Sequence, residues 1–165
     1  MFTSSYVARP DESEHQTGLA VDVGENTANV DLDFICPSLP DRGVCQTFKQ
    51  RAPEYGFIQR YKDGKEHITN IACEPWHFRY VEFPHSVIIE QQGICLEEYA
   101  DFLKQYCFGQ EHLFFEQENS VIEIYYVPVK GEVTTVPIMG APYLLSGNNQ
   151  DGFVVTVFHE CEYIS

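Results

Sequence analysis

The chain has no apolar run near the roughly 18 residues that a membrane-crossing helix needs. Its opening "MFTSSYVARPDES" lacks the apolar centre of a signal peptide, so nothing visible exports or anchors it and a cytoplasmic location is expected. Basic residues are scarce: ten Lys and Arg stand against 25 Asp and Glu, for a net charge of −15. Phosphate binding needs clustered cations, and these ten are scattered, which excludes nucleic acid or an anionic membrane surface as a main partner. None of the six cysteines (Cys36, Cys45, Cys73, Cys95, Cys107, Cys161) is paired as Cys-x-x-Cys. A chain of 165 residues with 44% hydrophobic content folds without covalent staples, so reduced thiols are expected. There is no internal repeat and no low-complexity segment, and the length suits one domain, or one with a small appendage.

What is present begins with "SEHQTGLAVD" at 13–22. If residues 19–23 form a strand, Leu19, Val21 and Val23 face a core while Ala20 and Asp22 face the other way. Gly18 lets the chain turn between a His15 loop and that strand, and small Ala20 leaves room beside the carboxylate. His15 and Asp22 then form half of a divalent-metal site, and a zinc site needs a further ligand. The best source is "CEPWHFRYV" at 73–81. Pro75 biases Glu74 toward an extended or polyproline conformation with three residues per turn, which sends Glu74 and His77 to the same side. Beyond it a strand places His77, Arg79 and Val81 on one face, opposite Trp76, Phe78 and Tyr80.

Val44, Phe48, Ala52 and Tyr55 have helical spacing, and Gly56 stops that helix. "GFIQRY" and "HITNIA" read as strands of a hairpin turning at Asp63-Gly64. "HSVIIEQQG" and "LEEYADFLKQY" read as packing helices. "VIEIYYVPV", "EVTTVPI" and "FVVTVFHE" read as three strands, the last following the turn "SGNNQDG". The expected fold is α+β, a mainly antiparallel sheet with packed helices. The expected division is a catalytic domain at 1–119 and a small β-rich extension at 120–165.

Together, "SEHQTGLAVD" and "GFIQRYKDGKEHITNIACEPWHFRYV" resemble the zinc D-alanyl-D-alanine carboxypeptidases and dipeptidases of glycopeptide resistance, the VanY and VanXY group. That family's pattern is Ser-x-His-x-x-Gly-x-Ala-x-Asp followed by Glu-Pro-Trp-His or Glu-x-Trp-His. The resemblance runs from about Ser13 to Leu103, and the C-terminal β segment looks like the extension of longer VanXY-type members. It implies one Zn²⁺ held by His15, Asp22 and His77, with Glu74 as catalytic base. It implies as substrate the D-Ala-D-Ala dipeptide or a D-Ala-terminated peptidoglycan precursor, and vancomycin-type resistance as the outcome. Ser13 and Trp76 are candidates for substrate contact, although Ser13 suits a local turn equally and Trp76 suits a core position better. Arg79 either faces the site or pairs with an acid. His67, His85, His112 and His159 are expected to be non-catalytic.

The family's longer N-terminal part carries a "GYR"-like strand whose Arg approaches the scissile carbonyl, and no such strand precedes His15 here. The chain is therefore expected to be a shortened member, or one completed by an N-terminal partner polypeptide or a second copy, with Arg9 the first substitute to test. A metal-binding interaction module and a related peptidoglycan endopeptidase are the other readings the motifs allow.

Overall fold

Residues 13–26, 33, 35–117 and 119–160 are described by a computed structural model; Arg9 and Cys161 lie outside the described residues. The chain divides into two units, residues 1–97 and 98–165.

In the first unit a 3-10 turn at Glu14–Thr17 is closed by Gly18 at φ 72°, the left-handed conformation that glycine adopts without strain. Strand β1 (Ala20–Asp22) follows directly, then helix α1 (Gly43–Arg51), which tightens into a 3-10 turn at Ala52–Tyr55. Strand β2 (Phe57–Tyr61), the one-turn helix α2 (Glu66–Thr69), strand β3 (Glu74–Tyr80) and helix α3 (His85–Gln92) complete the order, and helix α4 (Leu96–Leu103) begins at the end of this unit and lies mostly in the second. The strands form an antiparallel sheet in the order β1-β3-β2. Phe78 of β3 joins Leu39, Cys45 and Ala52 in a buried cluster, against which Val23, Phe57 and Trp76 pack. Phe48 meets Phe78 edge-on at 5.0 Å. The Ser86 hydroxyl donates to the Pro53 carbonyl at 2.6 Å, tying α3 to the turn after α1.

Two expectations for this unit do not hold. "HITNIA" is not a strand: the N–H groups of Ile68 and Thr69 bond back to the Lys65 carbonyl, and Asn70 ends the turn at φ 59°. The Thr69 hydroxyl also bonds the Lys65 and Ile71 carbonyls, so local polar contacts take the backbone groups that a ladder would have used. The apolar face of β1 is also not sealed. Leu19 and Val21 stay exposed, as do Val44 and Tyr55 of the predicted helical stripe. β1 is a three-residue edge strand, and its Val21 and the following Val23 share an open apolar cleft with Val44, Phe48, Tyr55 and Phe57.

The second unit carries strands β4 (Leu113–Gln117), β5 (Ser120–Pro128), β6 (Tyr143–Gly147) and β7 (Gly152–Glu160) in an antiparallel sheet ordered β4-β5-β7-β6. Tyr125, Val127, Val155 and Val157 form its buried cluster. Asn148 Oδ1 accepts from the N–H groups of Gln150, Asp151 and Gly152, each at 3.0 Å, which builds the predicted turn into β7. "EVTTVPI" is not a strand. Pro137 interrupts a ladder, and Val136 packs on the cluster while the Pro137 carbonyl accepts the Tyr125 hydroxyl. Strand β6 lies just after that segment, and β4, whose apolar residues run consecutively instead of alternating, was not visible as a strand. The second unit opens at Glu98. Both units are antiparallel sheets with helices in the chain, which is the expected α+β class.

Gly56 ends the α1 segment at φ 85°, where an added Cβ would lie 2.6 Å from the Tyr80 ring and 3.1 Å from the Glu82 Cα. A left-handed backbone and a close main-chain neighbour both oppose a side chain there. Gly56→Ala is expected to destabilise the protein by about 1–3 kcal/mol in urea denaturation, and an unchanged midpoint would contradict this packing.

Candidate metal centre

The β1–β3 register sets Asp22 directly opposite His77 and Ala20 opposite Arg79. Cross-strand partners project to the same side of a sheet, so pairing alone brings the carboxylate and the imidazole together. The distance is 3.0 Å from Asp22 Oδ1 to His77 Nδ1. The 3-10 turn, closed by Gly18, swings His15 back over the strand that follows it: His15 Nε2 lies 3.3 Å from Asp22 Oδ2, and its ring stands edge-on to that of His77 at 4.7 Å. Donor atoms from His15, Asp22 and His77 all lie within 4.8 Å of one another.

Glu74 reaches the cluster by a different route from the one its polyproline bias implied. It is the first residue of β3 and pairs with Tyr61. Strict alternation would put Glu74 and His77 on opposite faces, yet Glu74 Oε2 lies 3.6 Å from His77 Nδ1. The β2–β3 register breaks here: from Gln59↔Phe78 it passes to Tyr61↔Glu74, so two steps along β2 face four along β3. Pro75, which has no N–H to give the ladder, sits in that irregularity.

The donor set fits a catalytic zinc. Two imidazoles and one carboxylate are a characteristic three-ligand combination, and the side chains of His15 and Asp22 are reachable from solvent. Burial pushes the Glu74 carboxyl up to about 7, reinforced by the negative charges of Asp22 and Glu14 and only partly opposed by His77. Glu14 shows the reverse balance. Its burial would raise the carboxyl, but the hydrogen bond from His77 and the charges of Arg60 and Arg79 outweigh it and hold it down to about 2.

A sequence profile of the VanY family, D-alanyl-D-alanine carboxypeptidase, matches residues 2–83. Over this segment the chain belongs to the VanY family. It is 50% identical over 104 residues to the bifunctional D-Ala-D-Ala dipeptidase and carboxypeptidase VanXYC of Enterococcus gallinarum, covering 63% of this chain and 54% of that protein. It is 37% identical over 146 residues to a D-alanyl-D-alanine carboxypeptidase of Enterococcus faecium, covering 88% of this chain and 44% of the relative. The chain thus spans about half the length of the curated relatives it matches. Among solved structures, the D,D-dipeptidase VanXYg in complex with a D-Ala-D-Ala phosphinate analog aligns with TM-score 0.90 at 51% identity. That alignment covers 96% of this chain and 62% of the VanXYg chain.

The remaining sequence candidates are placed as follows in this VanY-family chain. Trp76 packs against the Phe78 cluster. The Ser13 side chain makes no cap bond to the turn that follows, and its carbonyl accepts the Gln16 N–H at 3.2 Å. Arg79 pairs with Glu14. His112 and His159 both bond Glu123 in the second unit, and His85 opens α3 in a buried position where desolvation lowers its pKa to about 4.

Glu14 was not singled out from the sequence, although it is the most heavily partnered group around the site. No signal marked it, since the residue lies inside the motif between Ser13 and His15 and its partners are 46 or more positions away.

Because Glu74 binds its proton more tightly in the folded chain than at the ordinary 4.5, it stabilises the metal-free fold at low pH. That contribution is lost as pH rises from about 4.5 to about 7. With a chelator present, Glu74→Gln is expected to flatten the fall in urea stability across this window. An unaltered slope would place the titrating group elsewhere.

Proposed function

We propose that this chain carries the catalytic centre of a zinc-dependent D,D-peptidase that hydrolyses the terminal D-Ala-D-Ala bond of cell-wall precursors. It would act as a dipeptidase, a carboxypeptidase or both, and so confer vancomycin-type resistance. The observation that carries the reading is the convergence of His15, Asp22 and His77 within 4.8 Å, with the Glu74 carboxylate beside His77. The activities in the names of VanXYC and VanXYg support the substrate class.

In this reading His15, Asp22 and His77 hold the ion. Zinc bound there supplies a Lewis acid that makes water acidic near neutral pH and polarises the peptide carbonyl. Glu74, buried and held by β3 beside the metal ligands, takes a proton from the attacking water and returns it to the leaving D-alanine amine. His77 is itself buried, so its ring does not wander during turnover, whereas His15 and Asp22 face the side from which substrate enters. The reading includes a cytoplasmic location, in keeping with the reduced thiols of Cys36, Cys45, Cys73, Cys95 and Cys107.

Elemental analysis of protein purified without added metal is expected to find one zinc per chain. His15→Ala and His77→Ala should each remove most of it; full occupancy in both variants would defeat the ligand assignment. Glu74→Ala should retain the zinc while D-alanine release from D-Ala-D-Ala or a D-Ala-terminated precursor falls by about 10²–10⁴-fold. Loss of zinc along with activity would make Glu74 a ligand, and activity kept within a few-fold would place the base elsewhere.

A further inference from the structure

The face of His77 that points away from Asp22 is also engaged. His77 Nε2 lies 3.2 Å from Glu14 Oε1, and that same oxygen accepts the Tyr61 hydroxyl at 3.1 Å. The other oxygen of Glu14 pairs with Arg79 Nη1, and Arg60 Nε stands 3.2 Å from Oε1. Arg60 is fixed in turn by a two-pronged contact with Glu97 at 2.9 and 2.6 Å. The carboxylate is therefore held from three directions, by residues of β2 and β3, against the back of one buried imidazole.

A carboxylate with two arginines on it is ionised and can only accept hydrogen bonds. The proton of its bond with His77 must then sit on Nε2. A neutral imidazole carries one proton, so the Nδ1 lone pair is the one left free, and Nδ1 is the atom that faces Asp22 at 3.0 Å. Without Glu14 either tautomer is open to His77, and the wrong one turns an N–H toward the metal position. An outer-shell carboxylate also raises the basicity of the ligand it accepts from and fixes its ring angle.

We propose that Glu14 is a positioning residue for the metal centre: it selects the Nε2-protonated form of His77 and so presents Nδ1 as the ligand atom, with Tyr61, Arg60 and Arg79 holding its carboxylate in place. The inference rests on the zinc reading above and deepens it. Glu14 touches neither substrate nor reacting atoms in this role, and it acts through His77. Its position directly before His15 means that one short turn supplies both a ligand and the support for a second ligand on a different strand.

The test uses the full chain and zinc alone as the probe. Competition with a chromogenic chelator is expected to give a zinc dissociation constant about 10–100-fold weaker for Glu14→Gln than for the unsubstituted chain. Tyr61→Phe, which removes one bond to Glu14 and leaves the two arginines in place, should give a smaller loss in the same direction. Long-range proton–nitrogen NMR of the zinc-loaded, ¹⁵N-histidine-labelled protein should show His77 bound through Nδ1 with a slowly exchanging Nε2–H, and that exchange should speed up in Tyr61→Phe. A purely structural Glu14 would not move the Nε2–H exchange in a variant that folds normally. Zinc affinity unchanged in both variants, or coordination of His77 through Nε2, would overturn the inference while leaving the zinc site standing. Failure of the unsubstituted chain to bind zinc would instead remove the reading on which it rests.

Discussion

Pro75 has no N–H to offer a sheet, and the ladder between β2 and β3 loses its register where it sits. The site depends on that interruption. A regular strand would send Glu74 and His77 to opposite faces, whereas here the Glu74 carboxylate comes within 3.6 Å of His77 Nδ1 and stays buried. On the other side of the same break the strand is regular again, so Trp76 and Phe78 keep their places in the apolar cluster and Asp22 lines up with His77. One strand thus serves both as core and as the rigid floor of a polar centre, the two roles separated by a few residues.

The electrostatics are built around the same imidazole. Three carboxylates, Asp22, Glu74 and Glu14, contact His77, and among the described residues only Glu14 is compensated by arginines. Around the His15, Asp22 and His77 cluster the described residues supply acceptors without a paired cation, an arrangement that is costly when buried and would become favourable with a divalent ion. Behind His77 the compensation is complete, which lets a buried anion persist there. Among the described residues the cluster is polarised, with an unneutralised front suited to the proposed metal and a neutralised back against the His77 ring.

Much of the centre was legible from local spacing. His15 and Asp22 lie across one tight turn, so Gly18 and the brevity of β1 already limit where they can go. Glu74 and His77 lie three positions apart around a proline, which pointed to a shared side through a polyproline turn and not to the register break that brings it about. Glu14 was not legible: its partners Tyr61, His77 and Arg79 are brought to it by β2 and β3, and nothing local ties residue 14 to those strands. The same limit explains "HITNIA", whose strand-like composition lost to hydrogen bonds that Thr69 and the Lys65 carbonyl make within one turn. It also explains the open cleft, because helical spacing shows which residues share a stripe and not whether another element covers it.

The sequence by itself determined the candidate donor set, the turns at Gly18, Gly56 and Asn148 and the α+β class, since these follow from residue type, backbone conformation and short-range periodicity. Tertiary structure alone decided which nitrogen of His77 faces the carboxylates in front of it, which acid supports the ring from behind, and which apolar faces are closed. Those outcomes depend on strand register and on contacts between residues far apart in the chain, where a shift of one position in pairing would exchange every face without changing a single letter of the sequence.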